Sequence, residues 1–103
     1  MKTAAVTSIL MICLLSAQSV NAASIYAGEA KAAAVCSQCH GIKSPSADAP
    51  FPPLAGRDAD YLESALKQYR DKTRKSEIMN NIAGSLTDSD IDNIAAYYAR
   101  QKP

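Results

Sequence analysis

Three residues in one short segment have the types and spacing to do chemistry together: Cys36, Cys39 and His40, in the run Cys-Ser-Gln-Cys-His. Two thiols three residues apart lie on one turn of a helix. There, each can form a thioether bond to one of the two vinyl groups on the edge of a haem. The imidazole that follows directly can reach the iron as an axial ligand. The spacing therefore predicts one covalently bound haem c, attached through Cys36 and Cys39, with His40 as an iron ligand.

Three other kinds of site use cysteines at such a spacing. A structural disulfide forms readily in an exported protein, but it does not require the adjacent histidine. A thioredoxin-like redox pair lies in a βαβ unit, and this sequence has no alternating strand pattern. A structural zinc ion takes four Cys or His ligands, and only Cys36, Cys39 and His40 remain once an N-terminal export segment is removed. Haem attachment is the interpretation that uses all three residues.

The second axial ligand of the iron is predicted by elimination. His40 is the only histidine, and Met79 is the only methionine besides Met1 and Met11, which belong to the export segment. Met79 follows His40 by 39 residues, far enough for the chain to reach the opposite face of a haem. A lone methionine otherwise serves as a core residue that fills an irregular gap. Met79 is therefore the predicted second ligand, and an open or weakly closed sixth position is the alternative.

The N-terminus has the pattern of a secretory signal peptide. Lys2 gives a positive start, an apolar run of about ten residues follows, and small and polar residues then lead to Ala22 and Ala23. Cleavage after Ala22, or after Ala23 as the second choice, removes 1–22 and leaves 23–103 as the mature domain. An uncleaved membrane anchor is the alternative, but the apolar run is shorter than the about 20 residues that a span needs.

Helical periodicity predicts an all-α domain with three main helices and a proline-rich loop. Asp58 is in position to cap the second main helix, and Thr87 and Asp90 have the spacing of a capping box at the start of the last one. Large aliphatic side chains are few, so we expect a large apolar body at the centre that the sequence does not encode. The main helices are predicted at 25–36, 59–72 and 88–101, with a short helix at 78–84 and the loop at 41–57.

Length and charge exclude several classes of protein. A chain of 103 residues is one domain, too small for a multidomain enzyme. Its 11 basic and 10 acidic side chains nearly balance, which argues against nucleic acid as a partner because phosphate binding needs a basic surplus. Outside the Cys-His run, no acid, base or nucleophile constellation stands out, so no catalytic residue is predicted and the chain is not expected to be an enzyme.

From about residue 25 to 100, the sequence resembles small bacterial class I c-type cytochromes. The resemblance implies the cytochrome c fold, wrapped around one haem with histidine and methionine as its ligands. Pro52-Pro53-Leu54 matches the Pro-x-Leu segment of that family. The match implies that the Pro52 carbonyl accepts the His40 N–H and orients its ring, and that Leu54 packs on the haem.

Four further positions bear on this resemblance. Gly28 and Tyr97 resemble the family's contact between a glycine on the first helix and an aromatic residue on the last. Arg74 matches a basic residue that meets a haem propionate in such proteins, and an ordinary solvated arginine is the alternative. Ala32 departs from the pattern, since many relatives have an aromatic residue there.

These observations predict a periplasmic one-electron transfer protein whose iron cycles between Fe(II) and Fe(III). Its expected partners are redox proteins such as membrane complexes, reductases or oxidases. We expect a monomer with no stable membrane insertion after signal cleavage and no nucleic acid. One alternative is a cytochrome subunit of a larger periplasmic oxidoreductase. Another is a haem-based ligand sensor or peroxidase-like protein in which Met79 is displaceable.

Overall fold

The computed structural model describes residues 23–44 and 51–103, and all statements below refer to these residues. The predicted signal peptide and residues 45–50 of the proline-rich loop lie outside them. The elements are α1 (Ile25–Lys31), a π-helical turn (Ala32–Cys36), α2 (Ser37–His40), α3 (Ala59–Asp71), α4 (Glu77–Gly84) and α5 (Asp88–Ala99). No strand occurs within the described residues, and the all-α prediction is confirmed.

The first helical segment is longer than the predicted 25–36. The chain continues through the π-helical turn and α2 to His40, so both cysteines and the histidine lie on one helical segment. It ends at Gly41, whose φ of 69° is a conformation that favours glycine. The predicted end at Cys36 was therefore four residues too early, because the turn that contains the cysteines is itself helical.

The two predicted helix caps differ in outcome. Thr87 and Asp90 form the predicted capping box, since each side chain accepts a hydrogen bond from the backbone N–H of the other at 3.0 Å. Asp58 precedes α3 as predicted, but its side chain makes no capping hydrogen bond. Its backbone carbonyl accepts the N–H of Leu62 as the first bond of the helix, so Asp58 is the N-cap residue as predicted but caps α3 without its side chain.

The packing of α1 on α5 depends on Gly28. A Cβ atom added there would collide with the carbonyl oxygen of Asn93 and would lie 2.9 Å from the Cβ of Tyr97. The backbones therefore approach as closely as only glycine allows, and the expected contact between Gly28 and Tyr97 is present. The backbone N–H of Ser24, which caps α1, donates to Asn93 Oδ1 at 2.8 Å and closes the same interface.

α5 is the central element of the core. It packs against α1 on one side and α3 on another, while α4 packs against α3. Tyr98 and Ile91 of α5 are the largest fully buried side chains among the described residues. In the described part of the chain, no helix has the length and apolar character needed to cross a membrane.

Candidate haem site

A cavity of about 210 Å³ lies between the Cys36–His40 segment, α3 and α4. Most of its lining side chains are apolar, including Leu62, Leu66, Ile82 and Ile94. The structure brings all seven predicted site residues to this one cavity. They are Cys36, Cys39, His40, Pro52, Leu54, Arg74 and Met79.

His40 ends α2 and is 9% exposed. Its Nδ1 atom lies 2.7 Å from the carbonyl oxygen of Pro52. A carbonyl oxygen only accepts hydrogen bonds, so Nδ1 carries the proton, and in the neutral ring Nε2 then has the lone pair. This tautomer is the one in which Nε2 is available as a metal ligand.

Cys36 and Cys39 are partly buried free thiols at the wall of the cavity. Burial raises the pKa of the Cys36 thiol to about 11, against a smaller opposing effect of Lys31. The free Cys36 thiol is therefore protonated at neutral pH. Across residues 23–44 and 51–103, no group of three or more His, Cys, Asp or Glu side chains could hold a metal ion.

Met79 lies in the first turn of α4 and is half-buried in the wall of the same cavity. Its backbone N–H donates to the hydroxyl of the capping residue Ser76 at 3.2 Å. The next residue, Asn80, fixes this helix start to its surroundings. Its side-chain NH₂ donates to the carbonyls of Tyr69 at 2.8 Å and Arg74 at 2.9 Å, and its Oδ1 accepts the Ser76 N–H at 3.1 Å.

Two arginines line the cavity, and each lies over a tyrosine of α3. The Arg74 guanidinium is 5.5 Å from the centre of the Tyr69 ring, and its Nε donates to Gln68 Oε1 at 3.1 Å. The Arg57 guanidinium is 5.3 Å from the Tyr61 ring centre. Arg74 was predicted from the sequence, whereas Arg57, which immediately follows the turn at Gly56, was not.

Tyr98 of α5 also lines the cavity and connects it to the core. Its hydroxyl donates to the carbonyl of Gly41 at 2.8 Å, directly after His40. Burial raises the pKa of this hydroxyl well above its usual value, so it remains a donor at neutral pH. Its hydrogen-bond partner had no signal in the sequence.

The donor set of the cavity fits a haem. The chain presents an imidazole nitrogen, a thioether and two thiols around mostly apolar walls, which suit a flat apolar ring with a metal at its centre. Two guanidinium groups line the same cavity and match the carboxylates that a haem carries.

Comparison with known protein families shows which family has this combination of residues. The family model described as cytochrome c oxidase, cbb3-type, subunit III matches residues 23–97. The chain belongs to this family of c-type cytochromes. As such it carries covalent haem c, for which Cys36 and Cys39 have the attachment spacing, and it transfers electrons between redox partners.

Individual relatives of this cytochrome differ in length. Cytochrome c-554(548) of Halomonas halodenitrificans is 43% identical over 79 residues, which are 74% of this chain and 94% of the relative. The protein named thiosulfate dehydrogenase electron acceptor from Stutzerimonas stutzeri is 39% identical over 67 residues, or 62% of this chain and 31% of the relative. The solved structure of Acidithiobacillus ferrooxidans cytochrome c4 has a TM-score of 0.62 at 30% identity and covers 80% of this chain. The cytochrome spans 53% of that c4 chain.

Proposed function

We propose that the chain is an exported, freely diffusing one-electron carrier in which His40 Nε2 and Met79 Sδ bind the haem iron. The observation that carries the proposal is that both side chains line one cavity, with His40 held in the tautomer that frees Nε2. When bound, the haem supplies the Fe(II)/Fe(III) couple. The chain itself binds the group, orients the ligands and excludes water.

The proposed ligand pair determines which chemistry is available. A thioether is a weaker donor than a second imidazole and favours reduced iron, so Met79 raises the reduction potential. His40 and Met79 together leave no coordination position for a substrate, which favours electron transfer over catalysis. Apolar neighbours such as Leu54, Leu62 and Ile82 keep water from the site and, like Met79, raise the reduction potential.

The other predicted site residues have supporting roles in this proposal. Pro52 orients His40 through its carbonyl oxygen, and Leu54, which lines the cavity, would pack against the haem. Arg74, joined by Arg57, neutralises the haem carboxylates, because stacking on tyrosine rings keeps both guanidinium groups beside the cavity.

Size and sequence pattern support a small exported carrier. The match to the Halomonas cytochrome spans 94% of that protein, so a unit of this size exists as a protein of its own. Residues 1–22 have the signal-peptide pattern, which supports export to the periplasm, with cleavage after Ala22 or Ala23. The carrier is a monomer, is not itself an enzyme, and its redox partners are membrane complexes, reductases or oxidases.

A second function is favoured by one relative. The Stutzerimonas protein is named as the electron acceptor of a thiosulfate dehydrogenase, so a cytochrome subunit dedicated to one larger oxidoreductase is the alternative. The elution size of the protein in a gentle extract of the native cells distinguishes these two functions. A free carrier elutes at the size of one small domain, whereas a subunit elutes in a stoichiometric complex.

The carrier function itself is tested by a potentiometric titration of the purified holoprotein. We expect a single reversible step that fits transfer of one electron, together with rapid oxidation and reduction by protein partners. An irreversible titration, or turnover of a substrate by the isolated protein, would contradict the proposal.

A further inference from the structure

Tyr98 makes two hydrogen bonds to backbone that is distant in the sequence. Its hydroxyl donates to the carbonyl oxygen of Gly41 at 2.8 Å, and its own carbonyl oxygen accepts the N–H of Gly56 at 2.9 Å. The residue is fully buried, and its ring packs edge-on against that of Tyr97 with the centres 5.4 Å apart. Tyr98 is therefore a fixed point in the core that holds two separate pieces of backbone.

The first piece carries the donor of the His40–Pro52 hydrogen bond. Gly41 follows His40 directly, and its N–H donates to the carbonyl of Ser37 at 2.8 Å. Its positive φ turns the chain away from the helix at this point. By bonding the Gly41 carbonyl, the Tyr98 hydroxyl fixes the direction in which the backbone leaves His40.

The second piece carries the acceptor of the same bond. Gly56 lies in a turn that is closed by the N–H of Arg57 on the carbonyl of Leu54 at 3.2 Å. Pro52 and Pro53 come immediately before this turn, and each proline ring fixes its own φ near −65°. Little rotational freedom therefore separates the turn held by Tyr98 from the Pro52 carbonyl.

We propose that Tyr98 is a positioning residue for His40. Its hydroxyl fixes the backbone next to His40, which provides the donor of the His40–Pro52 hydrogen bond, and its carbonyl oxygen fixes the turn that follows the acceptor, Pro52. That bond sets the tautomer of the ring and increases electron donation from Nε2. Without the hydroxyl, the Gly41 carbonyl loses its donor and the His40–Pro52 bond lengthens in the folded protein. The inference rests on the proposed role of His40 as an iron ligand, and it does not depend on Met79.

The test compares Tyr98→Phe with Tyr97→Phe in the reduced holoprotein. Both variants remove one hydroxyl from neighbouring buried rings, and within the described residues the structure records no hydrogen bond from the Tyr97 hydroxyl. The readouts are the proton NMR resonance of His40 Nδ1–H and the reduction potential. The Nδ1–H resonance reports the hydrogen bond in the folded protein and does not move merely because the protein becomes less stable.

We expect Tyr98→Phe to shift the Nδ1–H resonance upfield, as for a longer hydrogen bond, and to raise the reduction potential through weaker donation to the iron. Tyr97→Phe leaves both at their wild-type values. An Nδ1–H resonance that stays at the wild-type position in Tyr98→Phe, or that moves equally in Tyr97→Phe, overturns the inference.

The wild-type protein provides a check that needs no variant to fold. The Tyr98 hydroxyl proton gives a resolved, slowly exchanging resonance with a nuclear Overhauser effect to Gly41, and its absence overturns the inference. Failure of the proposed function has a different signature, because it shows as the absence of methionine ligation in the oxidised wild-type spectrum.

Discussion

The side-chain amide of Asn80 donates a hydrogen bond to the carbonyl oxygen of Tyr69 at 2.8 Å, which joins the start of α4 to the end of α3. The same amide bonds the carbonyl of Arg74 and accepts the N–H of Ser76. Three bonds from one side chain thus fix the connection between the two helices. Met79, the proposed iron ligand, is the residue immediately before Asn80.

Replacing Asn80 by alanine is therefore expected to weaken methionine ligation. The carbonyl of Arg74 loses its donor and that of Tyr69 keeps only the N–H of Lys72 at 3.2 Å, which costs about 1–3 kcal/mol of unfolding free energy. We also expect the methionine–iron absorption band to disappear at a lower temperature than in the wild type. Asn81→Ala is the matched control, because Asn81 is exposed and its replacement should change the unfolding free energy by less than about 0.5 kcal/mol. Equal effects of the two substitutions would show that Asn80 has no special role.

Gly28→Ala is expected to separate α1 from α5. The added methyl group meets the backbone of Asn93, which cannot move without displacing the helix, and such overpacking typically costs about 1–3 kcal/mol. Chemical denaturation of the holoprotein measures the loss. Gly84→Ala is the control, since no atom lies within 4 Å of a Cβ there and alanine has the higher helix propensity. It should leave the stability unchanged or slightly raised, and a Gly28 variant as stable as this control would contradict the packing.

The last helix gives a prediction about pH. The backbone hydrogen bond from Thr87, with smaller effects of the Thr87 side chain and Lys31, holds the pKa of Asp90 below its usual value. An Asp in the unfolded chain titrates near 3.9, so the stabilisation is present at neutral pH and is lost as pH falls below about 4. Asp90→Asn keeps an acceptor oxygen but removes the charge. We expect it to lower the free energy of unfolding at pH 7 and to have little effect at pH 2.

Asp92, on the same helix, serves as a control of opposite sign. Burial, followed by the nearby Glu63, raises the pKa of Asp92, so its charged form opposes folding at neutral pH. Asp92→Asn should therefore increase the free energy of unfolding at pH 7, and the difference should vanish at pH 2. Urea unfolding at pH 7 and pH 2 measures the free energy of unfolding of both variants. Changes of the same sign at pH 7 would contradict the opposite pKa shifts of Asp90 and Asp92.

Loss of the haem attachment sites is expected to abolish most of the fold. Tyr98 and Ile91 are the largest fully buried side chains that the structure describes, and much of the remaining apolar surface lines the cavity. A protein with Cys36→Ser and Cys39→Ser should show no cooperative thermal transition by circular dichroism. Gln38→Ala, at an exposed position between the two cysteines, should unfold like the wild type. A cooperative, fully helical transition in the double variant would contradict this expectation.

Local signals in the sequence predicted the features that depend on local spacing. These features are the Cys36–His40 run, the capping box of Thr87 and Asp90, and the helical periodicity of α3 and α5. Each depends on residues a few positions apart, so the pattern itself determines the geometry. Asp58 is the N-cap residue of α3 as predicted, but its side chain makes no capping hydrogen bond, because a suitable residue type does not ensure that this bond forms.

Contacts over long sequence separations had no such signal. The Tyr98 hydroxyl meets a carbonyl 57 positions away, and the Asn80 amide meets one 11 positions away. The sequence shows a tyrosine or an asparagine on a helix but not its hydrogen-bond partner, because tertiary packing determines that partner. Arg57 was missed for the same reason, since only the fold brings it to the cavity that Arg74 also lines.

The absorption spectrum of the oxidised and reduced holoprotein, with and without carbon monoxide, tests the central claim most directly. If His40 and Met79 both bind the iron, the spectrum is low-spin and the oxidised protein has a weak methionine–iron band. The reduced wild type does not respond to carbon monoxide, whereas Met79→Ala binds it promptly. A high-spin spectrum, or prompt binding of carbon monoxide by the wild type, would contradict a closed electron carrier and favour a ligand sensor.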